Sequence, residues 1–194
     1  MKNNSKKLFA LAAAAALCAP AMAKESEPGF YVAPEISLVS FSDYCSDART
    51  VLNVTSCEDS EIGFGISGGY QFNPFFAAEL GARFGSGYDV TVTNDLGAAL
   101  SIDIDYTSFS LGGRGNYPIG TSGLALTGNL GFHFWDVEAG AGGASISTDG
   151  TDPYGGIGAS YAFSDSISAR GEYTYYKYDD DNANVFSGAV VWNF

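Results

Sequence analysis

The chain is written in alternation. In "GFGISGGYQF", with the two residues before it, Ile62, Phe64, Ile66, Tyr70 and Phe72 fall on one face. Glu61, Gly63, Gly65, Ser67, Gly69 and Gln71 fall on the other. "GLALTGNLGFHF" repeats the scheme, with Leu124, Leu126, Leu130, Phe132 and Phe134 set against Ala125, Thr127, Asn129, Gly131 and His133. A period of two predicts β-strands. The second face is small or polar in nearly every strand, which is wrong for a sandwich packing two apolar faces together. It suits an all-β, antiparallel, up-and-down transmembrane barrel turned inside out.

Eight such segments are predicted, at about 28–42, 61–73, 75–91, 99–117, 123–137, 153–163, 166–178 and 184–194. Three connections are tight and rich in turn residues: 73–74, 118–122 and 164–165. The connections at 43–60, 92–98, 138–152 and 179–183 are expected to be longer loops, mostly more acidic. Short turns at one end and long loops at the other are the asymmetry of membrane barrels, and an even strand number puts both termini at the short-turn end. In "SIDIDYTSFSLGG" the apolar parity slips by one near Thr107–Ser108. That predicts a β-bulge there, or a strand projecting above the membrane. On the last strand Phe186, Gly188, Val190, Trp192 and Phe194 share the lipid face. Trp192 and Phe194 fall at the membrane boundary, with Phe30, Phe72, Phe76, Tyr117 and Phe163 near the same edge.

The N-terminus sets the compartment. Lys2, Lys6 and Lys7 precede an apolar run closing on Ala21-Met22-Ala23. This is read as a signal peptide over 1–23, with the barrel over 24–194. The run from Leu8 is too short for a spanning helix and contains Pro20. Removing residues 1–23 leaves six Lys and Arg against 22 Asp and Glu. Such a surface repels nucleic acid, so that partner class is excluded. Two cysteines remain, Cys45 and Cys57, and an even count in an exported chain predicts a disulfide. It would close a 13-residue loop, worth roughly 3 kcal/mol by loop entropy.

Several stretches carry a family resemblance: "GGYQFNPFFAAELG", "RGNYPI", "ISARGEYTY" and the final "VVWNF". They resemble the eight-stranded OmpA-type and OmpX-like outer-membrane β-barrels, over essentially the whole chain after residue 23. The peptidoglycan-binding domain that follows the barrel in longer members has no counterpart here, so wall anchoring is not carried over. The resemblance implies a Gram-negative outer membrane, with its lipid and lipopolysaccharide as surroundings. It also implies recognition of the terminal Phe194 by the barrel assembly machinery. By parity Glu35, Glu79, Arg83, Arg114, Arg170 and Glu172 face inward. Glu79, Arg114 and Arg170 match positions that form a lumen-plugging ion-pair network in the family. Asn129 and Ser160 stand where the family often has Arg and Glu, which implies a simpler or wetter plug.

Candidate chemistry is thin. "GFGISG" matches G-x-G-x-x-G at Gly63, Gly65 and Gly68, but no helix follows, so these glycines are read as making room in a crowded lumen. His133 is the single histidine. Some eight-stranded barrels are lipid hydrolases that use His with a nearby Ser, yet the residue two beyond His133 is Trp135. A hydrogen-bonded lumen histidine is the better reading. Asp179, Asp180 and Asp181 form an acidic loop that offers oxygen ligands without the spacing of a calcium loop. The sequon at Asn53 carries little weight in such a loop. No catalytic residue, cofactor or metal site is assigned. A structural barrel displaying acidic loops to an extracellular ligand leads, ahead of a narrow low-conductance channel and a lipid-modifying enzyme.

Overall fold

The computed structural model describes residues 28–41, 54–57, 60–93, 99–141, 144–179 and 181–194. Among these, nine strands form: β1 (Gly29–Phe41), β2 (Val54–Cys57), β3 (Ser60–Asn73), β4 (Phe76–Thr93), β5 (Ala99–Pro118), β6 (Leu124–Ala141), β7 (Ala144–Ala162), β8 (Ile167–Tyr178) and β9 (Asp181–Asn193). Eight of them are staves of one closed antiparallel barrel. The order runs β1-β3-β4-β5-β6-β7-β8-β9, and β9 returns to pair with β1 from Tyr31↔Asn193 to Phe41↔Ala183. Closure removes both sheet edges, which no open sheet could leave bare in hydrocarbon. The short β2 lies beside β4, with Cys57 opposite Val90. Residues 1–23, Cys45 and Asn53 lie outside the described residues, so the signal peptide, the Cys45–Cys57 pairing and the sequon do too.

The faces divide as the alternation requires. Leu130 (71 % exposed), Ile157, Phe76, Leu80 and Phe132 stand outward with no protein against them. Ala33, Ser67, Arg114, His133 and Arg170 are buried inward. Trp192 and Phe194 are exposed on the outer face of the last strand, and Phe194 N–H donates to Phe30 O beside the closing seam. Edge-to-face contacts Phe30–Tyr70, Tyr70–Phe72 and Tyr161–Phe163 continue the aromatic rim at that end.

At the other end the strands overrun. The strands β4–β7 hold 18 to 20 residues each, against 12 to 14 in β1, β3, β8 and β9. About 9–11 residues suffice to span. One wall therefore rises well beyond the opposite one, which changes two expected loops. Residues 138–152 are almost entirely strand, because β6 and β7 stay paired up to Ala141↔Ala144. The expected loop at 179–183 is shortened, since Tyr178 pairs with Asp181 and Asp179 takes φ 50°.

The predicted bulge also moves. From Asp103 to Pro118 β5 pairs with β6 without interruption. The register shift lies in the neighbouring strand, between Ser86 and Tyr88 of β4. Phe109 is outward and Tyr106 inward on an unbroken strand. The apolar parity changes because the upper lumen is itself apolar. Glycine clears space for those rings: a Cβ on Gly85 would lie 2.0 Å from the Tyr106 ring, and one on Gly112 would lie 2.4 Å from the Tyr154 hydroxyl. Gly63 and Gly65 do the same beside Tyr106 and Glu35. Gly68 departs from the expectation, since the nearest atom to its added Cβ is Tyr31 O at an ordinary 3.4 Å.

Candidate functional site in the lumen

Six charged side chains meet inside the barrel, carried by β1, β3's neighbour β4, β5 and β8. Arg114 reaches Glu79 through Nε at 3.0 Å and through Nη2 at 2.7 Å, and donates to Glu172 through Nη1 and, at 3.1 Å, Nη2. Arg170 lies 3.1 Å from Glu79 and 3.2 Å from Glu172. Two guanidinium groups and two carboxylates thus form a closed four-membered cycle. A second pair, Arg83 with Glu35, sits farther toward the overrunning end. These are the six residues selected by parity, and all six are brought into ion pairs. Three Arg and three Glu cancel, which is the condition for keeping charge in a narrow low-dielectric space.

Neutral polar side chains complete the cycle, and parity alone did not single them out. Tyr31 OH donates to Glu79 Oε2 at 2.8 Å. Arg170 Nη2 donates to Ser67 Oγ at 3.1 Å. Thr127 and Asn129 donate to Glu172 Oε1 at 3.2 and 3.3 Å. Asn129, read as a departure that leaves the network simpler, therefore joins it as an uncharged donor. The signal for these residues was available: each lies an even number of positions from an inward neighbour on its own strand.

Above the cycle the lumen turns aromatic. Tyr106, Trp135, Tyr154, Tyr176 and Tyr178 pack with Val39, Ala183 and Val185 in one buried cluster. The Tyr154 and Tyr176 rings stack at 5.2 Å, and the Arg83 guanidinium lies 4.9 Å over Tyr176, so a cation–π contact joins the charged and aromatic layers. His133 is fully buried among these rings, 4.8 Å from Tyr178 and 5.0 Å from Tyr176. Its Nε2 faces Lys177 O at 2.7 Å, and a carbonyl only accepts, so Nε2 carries the proton. Nδ1 is then the acceptor for Ser108 Oγ–H at 3.1 Å. Asp152 accepts from the Trp135 indole at 2.8 Å and from Asp179 N–H at 3.0 Å, tying the aromatic layer to the β8–β9 turn.

Two cavities flank the charged cycle. One of about 20 Å³ lies between cycle and aromatic layer, lined by Glu79, Arg114, Asn129, Glu172 and Tyr154 among others. That is room for about one water. The other holds about 470 Å³ and opens at the end with the tight turns, where Pro74, Gly120, Ser164 and Phe194 ring it. Among the described residues no group of three or more His, Cys, Asp or Glu is placed to hold a metal ion.

A closed barrel with an apolar exterior and a neutralised charged interior is membrane architecture, and the sequence places it more closely. The profile of the outer membrane protein beta-barrel domain matches residues 9–194. The chain belongs to that family. No curated protein matches it. Neisserial surface protein A is similar in structure, with a TM-score of 0.63 and 16 % identity over 86 % of this chain and 97 % of that one. So is the attachment invasion locus protein Ail of Yersinia pestis, solved with the heparin analogue sucrose octasulfate: TM-score 0.56 and 17 % identity over 88 % of this chain and all of that one. The outer membrane protein OprG from Pseudomonas aeruginosa gives 0.58 and 14 % over 89 % and 96 %. At such identities the likeness is one of fold. As an outer membrane barrel, the chain has its tight-turn end in the periplasm and its overrunning wall outside.

Proposed function

We propose that this outer membrane barrel is a structural and surface-interaction protein whose lumen is plugged. The observation that carries this reading is the stacking of two barriers, the Arg114–Glu79–Arg170–Glu172 cycle and the aromatic layer, with about 20 Å³ between them. So little room between two packed layers supports a lumen that a hydrated ion does not cross. What the barrel offers to other molecules is its outer wall. Asp105 stands opposite Glu138, and Asp136 opposite Asp149, on exposed strand extensions. Paired like charges destabilise a sheet, so their place on a projecting wall supports a recognition role. The partner that fits is cationic. A polyanion of the kind bound by Ail would be repelled. The lipid and lipopolysaccharide around the barrel, and assembly machinery reading Phe194, complete the partners of this reading.

Planar-bilayer recording tests it. The native protein is expected to show no resolved steps, and a variant that removes Arg114 and trims Tyr176 to Ala is expected to conduct. Steady native steps favour the second reading, a narrow channel, for which the 470 Å³ vestibule is half a pore already present. The lipid-modifying reading is poorly supported. Ser108 and His133 are buried on the lumen face (3 % and 0 % exposed), with the barrel wall between them and lipid acyl chains.

A further inference from the structure

The charged cycle has two sides, and they differ. Arg170 lines only the periplasmic vestibule and Arg114 lines both spaces, whereas Glu79 and Glu172 line only the small cavity on the other side. The cycle is neutral as a whole, but on the vestibule side its lining members are the two arginines. Its donors are not exhausted. Arg170 commits one hydrogen of Nη1 to Glu79 and one of Nη2 to Ser67, with Nε against Glu172. Arg114 commits Nε, both Nη2 hydrogens and one on Nη1. Each guanidinium has five N–H groups, so one remains on Arg114 and two on Arg170. The walls around them are neutral and hydrogen-bonding: Asn116, Thr127, Ser160, Ser168 and Asn193. Among the described lining residues the acidic side chain is that of Asp165, in the β7–β8 turn at the mouth. A volume of about 470 Å³ falls in the range of small-molecule sites.

We propose that the vestibule binds a small anionic solute from the periplasm, a carboxylate or phosphate carried on a hydroxylated or amide-bearing body. Arg114 and Arg170 hold the anionic head at the floor, and the Ser, Thr and Asn side chains hold the body. This assignment does not depend on whether the lumen is plugged, because the solute enters and leaves on one side. It is also the reverse of the protein's outer surface, where the fields are negative.

Isothermal titration of the refolded barrel in uncharged maltoside micelles tests the assignment, with citrate and inorganic phosphate as probes and sucrose as the neutral control. Saturable binding of at least one anion, weakened by added sodium chloride and absent for sucrose, is the expected result. Ser160 faces Arg170 in register, so Ser160→Glu supplies an internal carboxylate and is expected to raise the dissociation constant at least tenfold. Arg170→Gln is expected to do the same. Each variant is run boiled and unboiled on a gel, and only those keeping the folded band are titrated. The proposal is overturned if neither anion saturates the folded native protein. It is equally overturned if both folded variants bind as tightly as the native chain. Binding confined to phosphatidylglycerol mixed into the micelles would identify a lipid site and overturn the free-solute assignment.

Discussion

Arg114→Met probes the lumen most directly. Arg114 is 4 % exposed and bonds both carboxylates of the cycle. Its removal leaves one guanidinium for Glu79 and Glu172. Breaking a buried ion pair from one side costs about 3–5 kcal/mol. Two features set the expectation at the lower bound. Arg170 keeps its contacts to both carboxylates at 3.1 and 3.2 Å, and the vestibule lets water reach the vacated space. A loss of about 3 kcal/mol, with a urea slope of about 2 kcal/mol per molar, shifts the unfolding midpoint down by about 1.5 M. The assay is urea unfolding from lipid vesicles, followed by the combined emission of Trp192 on the lipid face and Trp135 in the lumen. Combining Arg114→Met with Glu79→Gln restores a one-to-one charge count. The double variant is therefore expected to recover at least about 1 kcal/mol relative to additivity. A midpoint shift below about 0.3 M at unchanged slope, with additive variants, would mean that the cycle is hydrated and contributes little, and the argument from burial would fail.

Other expectations follow from the outward and terminal residues. Leu130→Arg places a charge on the most exposed leucine of the lipid face; it should cost about 2–4 kcal/mol near mid-membrane, and a neutral result in the same urea assay would contradict the inside-out assignment. Phe194→Ser should leave refolding into micelles intact but lower the heat-modifiable fraction recovered from cell envelopes, whereas equal recovery removes any assembly role for Phe194. The Cys45–Cys57 pairing predicts that the unboiled band migrates differently after reduction, and that Cys57→Ser erases the difference. His133→Ala should destabilise the aromatic layer and leave lipid A acylation untouched; deacylation by native protein that vanishes in this variant would reverse the ranking of functions.

Alternation along the chain determined a great deal by itself. Which face meets lipid, how many staves close the barrel, which end holds the tight turns and which six charges turn inward all follow from a side-chain period of two. That period is local, so any run of five residues reports it. Three things were decided by tertiary structure. The extension of β6 and β7 depends on cross-strand pairing within 138–152, which reads as an acidic loop, since partners such as Glu138 and Ser147 supply no apolar alternation to mark them; β4 and β5 are legible at nearly full length. The bulge belongs to β4 although the parity slip is written in β5, because an insertion in one strand is defined against its neighbour. The aromatic layer is the third. Tyr176 and Tyr178 read as ordinary strand residues, yet the curvature of the barrel brings them against Trp135 and His133 two staves away. Residues far apart in sequence become one packed layer only when the eighth stave meets the first, and that long-range condition is written in no single segment.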